Sequence, residues 1–98
     1  RRVDLTLLVA LDADLIQAQR VVLDAMRAHR LVLDEPPPFI LVDEIRESGV
    51  LFQARAWALS ADYIQARSAL NCAIIDAMRR AKIEIPLPQR VVTLPAGR

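Results

Sequence analysis

The chain has 98 residues, of which 54% are hydrophobic and 26% are charged, and its basic and acidic residues leave a net charge of +1. A chain of this length buries one hydrophobic core, which excludes a two-domain organisation. Because charges of both signs are interspersed, the chain lacks the strong field that favours nucleic acid or anionic lipid as a partner.

The single cysteine, Cys72, excludes an intramolecular disulfide framework and a multi-cysteine metal cluster. No apolar run approaches the roughly 18 residues that a membrane span requires, and no signal peptide opens the chain. The sequence starts Arg1-Arg2-Val3 without an initiating Met and passes at once into an alternating apolar pattern. We therefore expect the domain to be part of a longer protein, with another segment before it.

The first two predicted elements are a strand and a helix. Residues 3–11 alternate with the period of a strand. Asp12 and Asp14 are N-cap candidates for a helix that ends near Arg30, and Pro36-Pro37-Pro38 forbids its continuation. The predicted inward row of the strand is Val3, Leu5, Leu7, Val9 and Leu11.

A hairpin follows the proline run. Residues 39–46 and 50–59 are predicted to form two antiparallel strands, and Gly49 is expected to take the positive φ that tight hairpin turns require. The predicted inward row of the second of these strands is Val50, Phe52, Ala54, Ala56 and Ala58.

The last regular elements are a helix and a short strand. Ser60 is the predicted N-cap of a helix that continues to about Ala81. Residues 82–85 then predict a short strand, which Pro86 and Pro88 restrict to a sheet edge.

The order β-α-β-β-α-β predicts an α+β, ferredoxin-like sandwich over residues 1–89, with two helices on one face of a four-stranded antiparallel sheet. Residues 90–98 are left over and contain a β-prone run at 90–94. This run is either an extra C-terminal strand that pairs outside the first sheet, since an isolated strand leaves its backbone groups unpaired, or a loose terminus.

Two surfaces are candidates for contact with other proteins. The sheet face away from the helices combines Trp57 and Arg55 with apolar residues, a composition enriched at interfaces but also found on ordinary surfaces. The outer side of the second helix carries Cys72 and Ile75. With the leftover strand included, the candidate oligomer-interface residues are Leu51, Arg55, Trp57, Cys72, Ile75, Val91, Val92 and Leu94.

The residues that could carry chemistry are few. His29 lies on an apolar stripe near a helix end, which favours capping or packing, and Cys72 has neither a histidine nor a second cysteine nearby. The only glycines, Gly49 and Gly97, exclude a phosphate-binding glycine loop. The first strand has no aromatic residue to stack RNA bases. We therefore predict no catalytic, cofactor or metal site, and no nucleic-acid partner.

The end of the chain carries the most specific motif. Ile83-Glu84-Ile85-Pro86-Leu87-Pro88-Gln89 resembles the I-x-I-P-x-P-Q close of the C-terminal cytoplasmic domain of small-conductance mechanosensitive channels, the MscS family. Lys82 departs from the family pattern, which usually has glycine at this position. The turn Glu47-Ser48-Gly49 also departs from it, because the family has a more neutral stretch before the second strand of the hairpin. Further segments that resemble the family in order and spacing are residues 3–6, 12–15, 32–38 and 55–57, and Asp62, Tyr63 and Arg67.

The resemblance implies a homoheptamer in the bacterial inner membrane, in which seven copies form a hollow cage on the cytoplasmic side. Ions and small osmolytes would pass through the cage, the last strands would close into a parallel barrel, and the membrane would be contacted only by upstream transmembrane segments. The competing hypothesis is a stand-alone, ferredoxin-like regulatory domain that binds a small molecule. The fold does not decide between them, but the proline-rich close followed by a solitary strand favours the cage.

Overall fold

A computed structural model describes residues 1–86 of the chain. The order of the first five predicted elements is confirmed, and a single 3-10 turn at Ser60–Asp62 precedes the second helix. The elements are β1 (Arg2–Val9), α1 (Leu15–Ala28), β2 (Phe39–Arg46), β3 (Gly49–Trp57) and α2 (Tyr63–Arg80).

The strands of the described chain form one antiparallel sheet in the order β1-β3-β2. In the register of β1 with β3, Leu5 lies opposite Ala54 and Val9 lies opposite Val50. Directly opposed residues of antiparallel strands share a face, so the predicted inward rows of the two strands meet on one face of the sheet. This part of the sequence prediction is confirmed except for Leu11, which lies beyond the end of β1 and is 52% exposed.

Both helices cover that face. α1 packs over β2 and β3, whereas α2 packs over β1. The core lies between the helices and the sheet, and Phe52 of β3 is fully buried in it. The helical side chains buried in this core are Ala18, Val22, Met26, Ala66, Leu70, Ile74 and Met78.

The first residue of the chain is tied to the far end of β3. The Ala58 N–H donates to the Arg1 carbonyl at 3.0 Å, which continues the pairing one step beyond the strands. The Arg1 guanidinium also lies 3.8 Å from the centre of the Tyr63 ring at the start of α2, within the range of a cation–π contact. The chain therefore enters β1 beside the start of α2.

Residues 82–85 differ from the prediction because they form no strand in the described structure. One ladder-like bond is made, from the Ala10 N–H to the Glu84 carbonyl at 3.2 Å, just beyond the end of β1. Pro86 has no N–H with which to continue a ladder. The sheet of residues 1–86 thus has three strands, and the predicted extra strand at 90–98 lies outside the described residues.

Gly49 is the first residue of β3 and pairs with Arg46, and the predicted positive φ was wrong. A Cβ at this position would lie 2.6 Å from the Val9 carbonyl oxygen, 3.0 Å from Leu8 Cγ and 3.2 Å from Pro86 Cγ. Glycine is therefore required because β1 and residue 86 approach the backbone closely, and not because of the turn's own dihedral angles.

The start of α1 is capped as predicted, and the start of α2 is not. The Asp14 carboxylate accepts hydrogen bonds from the N–H groups of Ile16 and Gln17 at 3.1 and 3.0 Å. Ser60 makes no such bond, because the 3-10 turn separates it from the first residue of α2. Ser60 as N-cap of the second helix was therefore a wrong prediction.

The end of α2 is a Schellman motif centred on the residue where the family pattern has glycine. Lys82 has a φ of 59°, in the left-handed region. The Lys82 N–H donates to the Arg79 carbonyl, and the Ile83 N–H donates to the Met78 carbonyl at 2.9 Å. The motif buries Ile83 against the core. A lysine thus adopts a backbone conformation that glycine adopts at lower cost.

Candidate interaction surfaces

Of the residues that could carry chemistry, His29 has a structural role. His29 caps the end of α1, and its Nδ1 accepts a hydrogen bond from the Leu31 N–H at 3.2 Å. Between residues 1 and 86, no three His, Cys, Asp or Glu side chains are grouped closely enough to hold a metal ion. None of the helices in that same stretch has the length and apolar character of a membrane span.

The sheet face away from the helices is a network of charged and polar side chains. Asp4 receives two hydrogen bonds from Arg2, at 2.8 and 3.2 Å, and its Oδ1 lies 3.8 Å from Nε of Arg55. The 3.8 Å distance between Asp4 and Arg55 is that of an ion pair without a hydrogen bond. Nε of Arg55 has no hydrogen-bond partner among the described atoms. Arg55, a predicted interface residue, is thus half-buried beside Asp4.

The other candidates on β3 are less exposed than the sequence suggested. Trp57 is half-buried, and its ring centre lies 5.9 Å from that of Phe39 on β2. Leu51 is only 8% exposed, which leaves little of it available to another protein. Within the open face of the sheet, Trp57 is therefore the larger apolar group near the surface.

On α2 both predicted residues face outward. Cys72 is exposed and Ile75 is 41% exposed. They share one side of the helix with Ile64, which is 80% exposed, and with the exposed Arg67 and Arg79. We call these five residues the α2 outer face. The remaining candidates, Val91, Val92 and Leu94, lie outside the described residues.

Sequence reasoning missed a second apolar surface, on β2. Its residues Phe39, Leu41, Val42 and Ile45 are 37%, 45%, 44% and 78% exposed, and we call them the β2 edge. The register places Phe39 and Leu41 on the open face of the sheet, and Val42 and Ile45 on the helix-covered side. The outermost strand thus presents apolar groups on both sides. The signal that could have found this surface is the strand order, which makes β2 an edge.

A groove of about 410 Å³ lies where α2 ends. It is lined by Ile75 and Arg79 of α2 and by Ile83, Glu84 and Ile85 of the segment that follows. The groove continues the apolar strip of the α2 outer face towards the point where the described chain ends.

Two helices on one face of an antiparallel sheet, with open apolar surfaces on an edge strand and on a helix, define an α+β domain of the kind that the sequence motifs indicated. Residues 3–85 match the sequence model of the family described as the mechanosensitive ion channel MscS, C-terminal. The chain belongs to this family.

Individual relatives agree with the family match. The chain is 33% identical over 94 residues to an uncharacterised MscS family protein of Synechocystis, covering 96% of this chain and 32% of that protein. It is 33% identical over 98 residues to the small-conductance mechanosensitive channel of Edwardsiella ictaluri, covering 96% of this chain and 33% of that protein. The chain thus spans about one third of the length of these relatives.

A solved structure is similar in fold. The crystal structure of Helicobacter pylori MscS in its closed state superposes with a TM-score of 0.84 over 97% of this chain and 38% of that one. The sequences are 24% identical, so this likeness establishes the shared fold and nothing more specific.

Proposed function

We propose that this chain is the cytoplasmic cage domain of a mechanosensitive ion channel at the bacterial inner membrane. In this role it supports assembly of a homoheptamer and lets ions and osmolytes pass between the pore and the cytoplasm. The observation that carries the proposal is the family match along residues 3–85, almost the full length that the structure describes. The pore itself is assigned to other parts of the channel protein.

The surface of the domain supports a role in assembly. Of the nine large apolar side chains that are exposed in the described residues, six lie on the β2 edge and the α2 outer face. Exposed apolar patches of this kind, rimmed by polar residues, typically mark contact sites with other proteins.

The proposal includes the end of the chain. In the assembled channel, residues 82–85, which form no strand in the described chain, would extend the bond between Ala10 and Glu84 into a fourth strand beside β1. Residues 90–94 would then have no free place in this sheet. They would pair with the same segment of other copies and close the base of the cage, because closure removes unpaired strand edges.

The test is made on the full-length channel protein. Deleting residues 91–98 removes the closing strand, whereas the matched control deletes only 95–98 and leaves the β-prone run intact. Oligomer mass in detergent and stretch-activated conductance in a membrane patch are measured for both. We expect the long deletion to yield oligomers that dissociate at lower temperature and carry altered currents, and the short deletion to behave as the parent.

Two outcomes contradict the proposal. Unchanged thermal resistance and currents after the long deletion would remove the closing-strand role. A full-length protein that is monomeric and passes no stretch-activated current would contradict the channel function and would favour a stand-alone regulatory domain.

A further inference from the structure

We infer that the β2 edge of one copy docks on the α2 outer face of the next copy, head to tail around the ring. The inference rests on the proposed function, which supplies the ring, and it names the two surfaces that meet between neighbouring domains.

The two surfaces lie on opposite sides of the domain. β2 is one edge of the sheet, and α2 packs over β1, the strand at the other end of the order β1-β3-β2. The surfaces therefore cannot reach each other within one chain. A contact between two different surfaces on opposite sides of a protomer is heterologous, and repeating it produces a closed ring when the rotation per step closes.

The charges of the two elements are opposite. β2 together with the turn that follows it, residues 39–49, carries three acidic residues and one basic residue, a net charge of −2. Residues 63–80 carry three basic residues and one acidic residue, a net charge of +2. Opposite potentials on two surfaces steer their association and fix its orientation.

The internal ion pairs leave this complementarity in place. Within the described residues, Arg46 pairs with Glu44 on β2, and Arg80 pairs with Asp76 on α2. These pairs cancel equal numbers of charges on each side.

What remains is Asp43 and Glu47 beside the β2 edge, and Arg67 and Arg79 on the α2 outer face. All four residues are exposed. Each apolar surface is thus rimmed by charge opposite in sign to the rim of the other.

A β-bulge determines what kind of surface β2 accepts. Val42 pairs with Phe52 and Glu44 pairs with Leu51, so that Asp43 is an extra residue in β2. A bulge and charged residues on an edge strand disfavour the addition of another strand, because they interrupt the row of free backbone groups. The β2 edge is therefore suited to side-chain packing against a helix face, which is what α2 presents.

The single cysteine of the chain provides the probe. Cys72 lies in the α2 outer face, and Leu41 lies near the middle of the β2 edge. The substitution Leu41→Cys is introduced in the full-length protein, with cysteines outside this domain replaced by serine. A short bifunctional maleimide then links thiols of neighbouring copies that are in contact. The matched control is Arg20→Cys, on the exposed side of α1.

We expect Leu41→Cys to give a ladder of linked species at a rate at least about tenfold above that of Arg20→Cys, because docking holds the two thiols at high effective concentration. Adding Cys72→Ser to Leu41→Cys should abolish the ladder. Ladders that persist without Cys72 would show a contact between like surfaces and would overturn the inference, as would equal rates for Leu41→Cys and Arg20→Cys.

Native mass measurement of the parent protein separates this inference from the proposed function. An intact oligomer that gives no ladder with Leu41→Cys contradicts the proposed docking surfaces but not the proposed function as a cage domain. A monomeric parent overturns both.

Discussion

β2 and β3 are neighbouring strands of one hairpin with similar composition and opposite environments. β2 has five apolar residues in eight, yet seven of its eight residues are exposed and only Ile40 is of intermediate burial. β3 has an apolar row of the same kind and is buried along almost its whole length. β3 lies between two strands and its inward row is buried in the core, whereas β2 has a neighbouring strand on one side only. The comparison teaches that position in the sheet, and not hydrophobicity, decides which of two similar strands is covered.

The sharpest test of this comparison is truncation of one side chain in each strand. Phe52→Ala removes a fully buried ring and should lower the free energy of unfolding by about 3 to 5 kcal/mol. Ile45→Ala removes a side chain that is 78% exposed and should change it by less than about 0.5 kcal/mol. Urea unfolding of the two variants measures both values. Similar losses in the two variants would show that β2 is covered as well as β3.

The turn that joins the two strands is the next place to test. Gly49→Ala should lower the free energy of unfolding by about 1 to 3 kcal/mol, because the new Cβ meets the backbone oxygen of Val9, which cannot move without disturbing the sheet. Ser48→Ala, in the turn just before Gly49, is the control and should be near neutral. A neutral Gly49→Ala would mean that the close approach of β1 to the hairpin is not maintained in solution.

A smaller effect, of opposite sign, is expected where α2 ends and Ile83 joins the core that covers β3. Lys82→Gly should raise the free energy of unfolding by up to about 0.5 kcal/mol, because glycine removes the cost of the left-handed backbone. The greater conformational entropy that glycine loses on folding offsets part of that gain. Lys82→Ala keeps the left-handed cost and should bring no gain. A loss of stability in Lys82→Gly would show that the lysine side chain contributes a contact that outweighs its backbone strain.

Elements set by local pattern were predictable from the sequence. The hairpin strand at 39–46 has the predicted bounds, and the cap at Asp14 was recognised from residue type and spacing alone. The inward row of β3 follows from its alternation, since only one face is wholly apolar. In each case the information lies within a few residues of the feature.

What depends on distant parts of the chain was not predictable. The role of Gly49 comes from Val9 and Pro86, which are far from it in sequence. Leu51 was assigned to a contact surface and is buried, whereas the β2 edge was overlooked, because alternation within a strand does not reveal its neighbours. Of the candidate surfaces, only the outward side of α2 could be read from helical spacing, through Cys72 and Ile75.

The position of the two ends of the described chain has a mechanical consequence. Arg1 meets the sheet beside Ala58, at one end of β1, and Pro86 lies beside Gly49, at the other end, roughly 26 Å away for a strand of this length. A pull between these ends therefore runs along the strands, while the hydrogen bonds between β1 and β3 lie across them. All of those bonds are then loaded together in shear, and none is peeled open before the next. A domain connected in this way transmits tension as a stiff spacer before it yields.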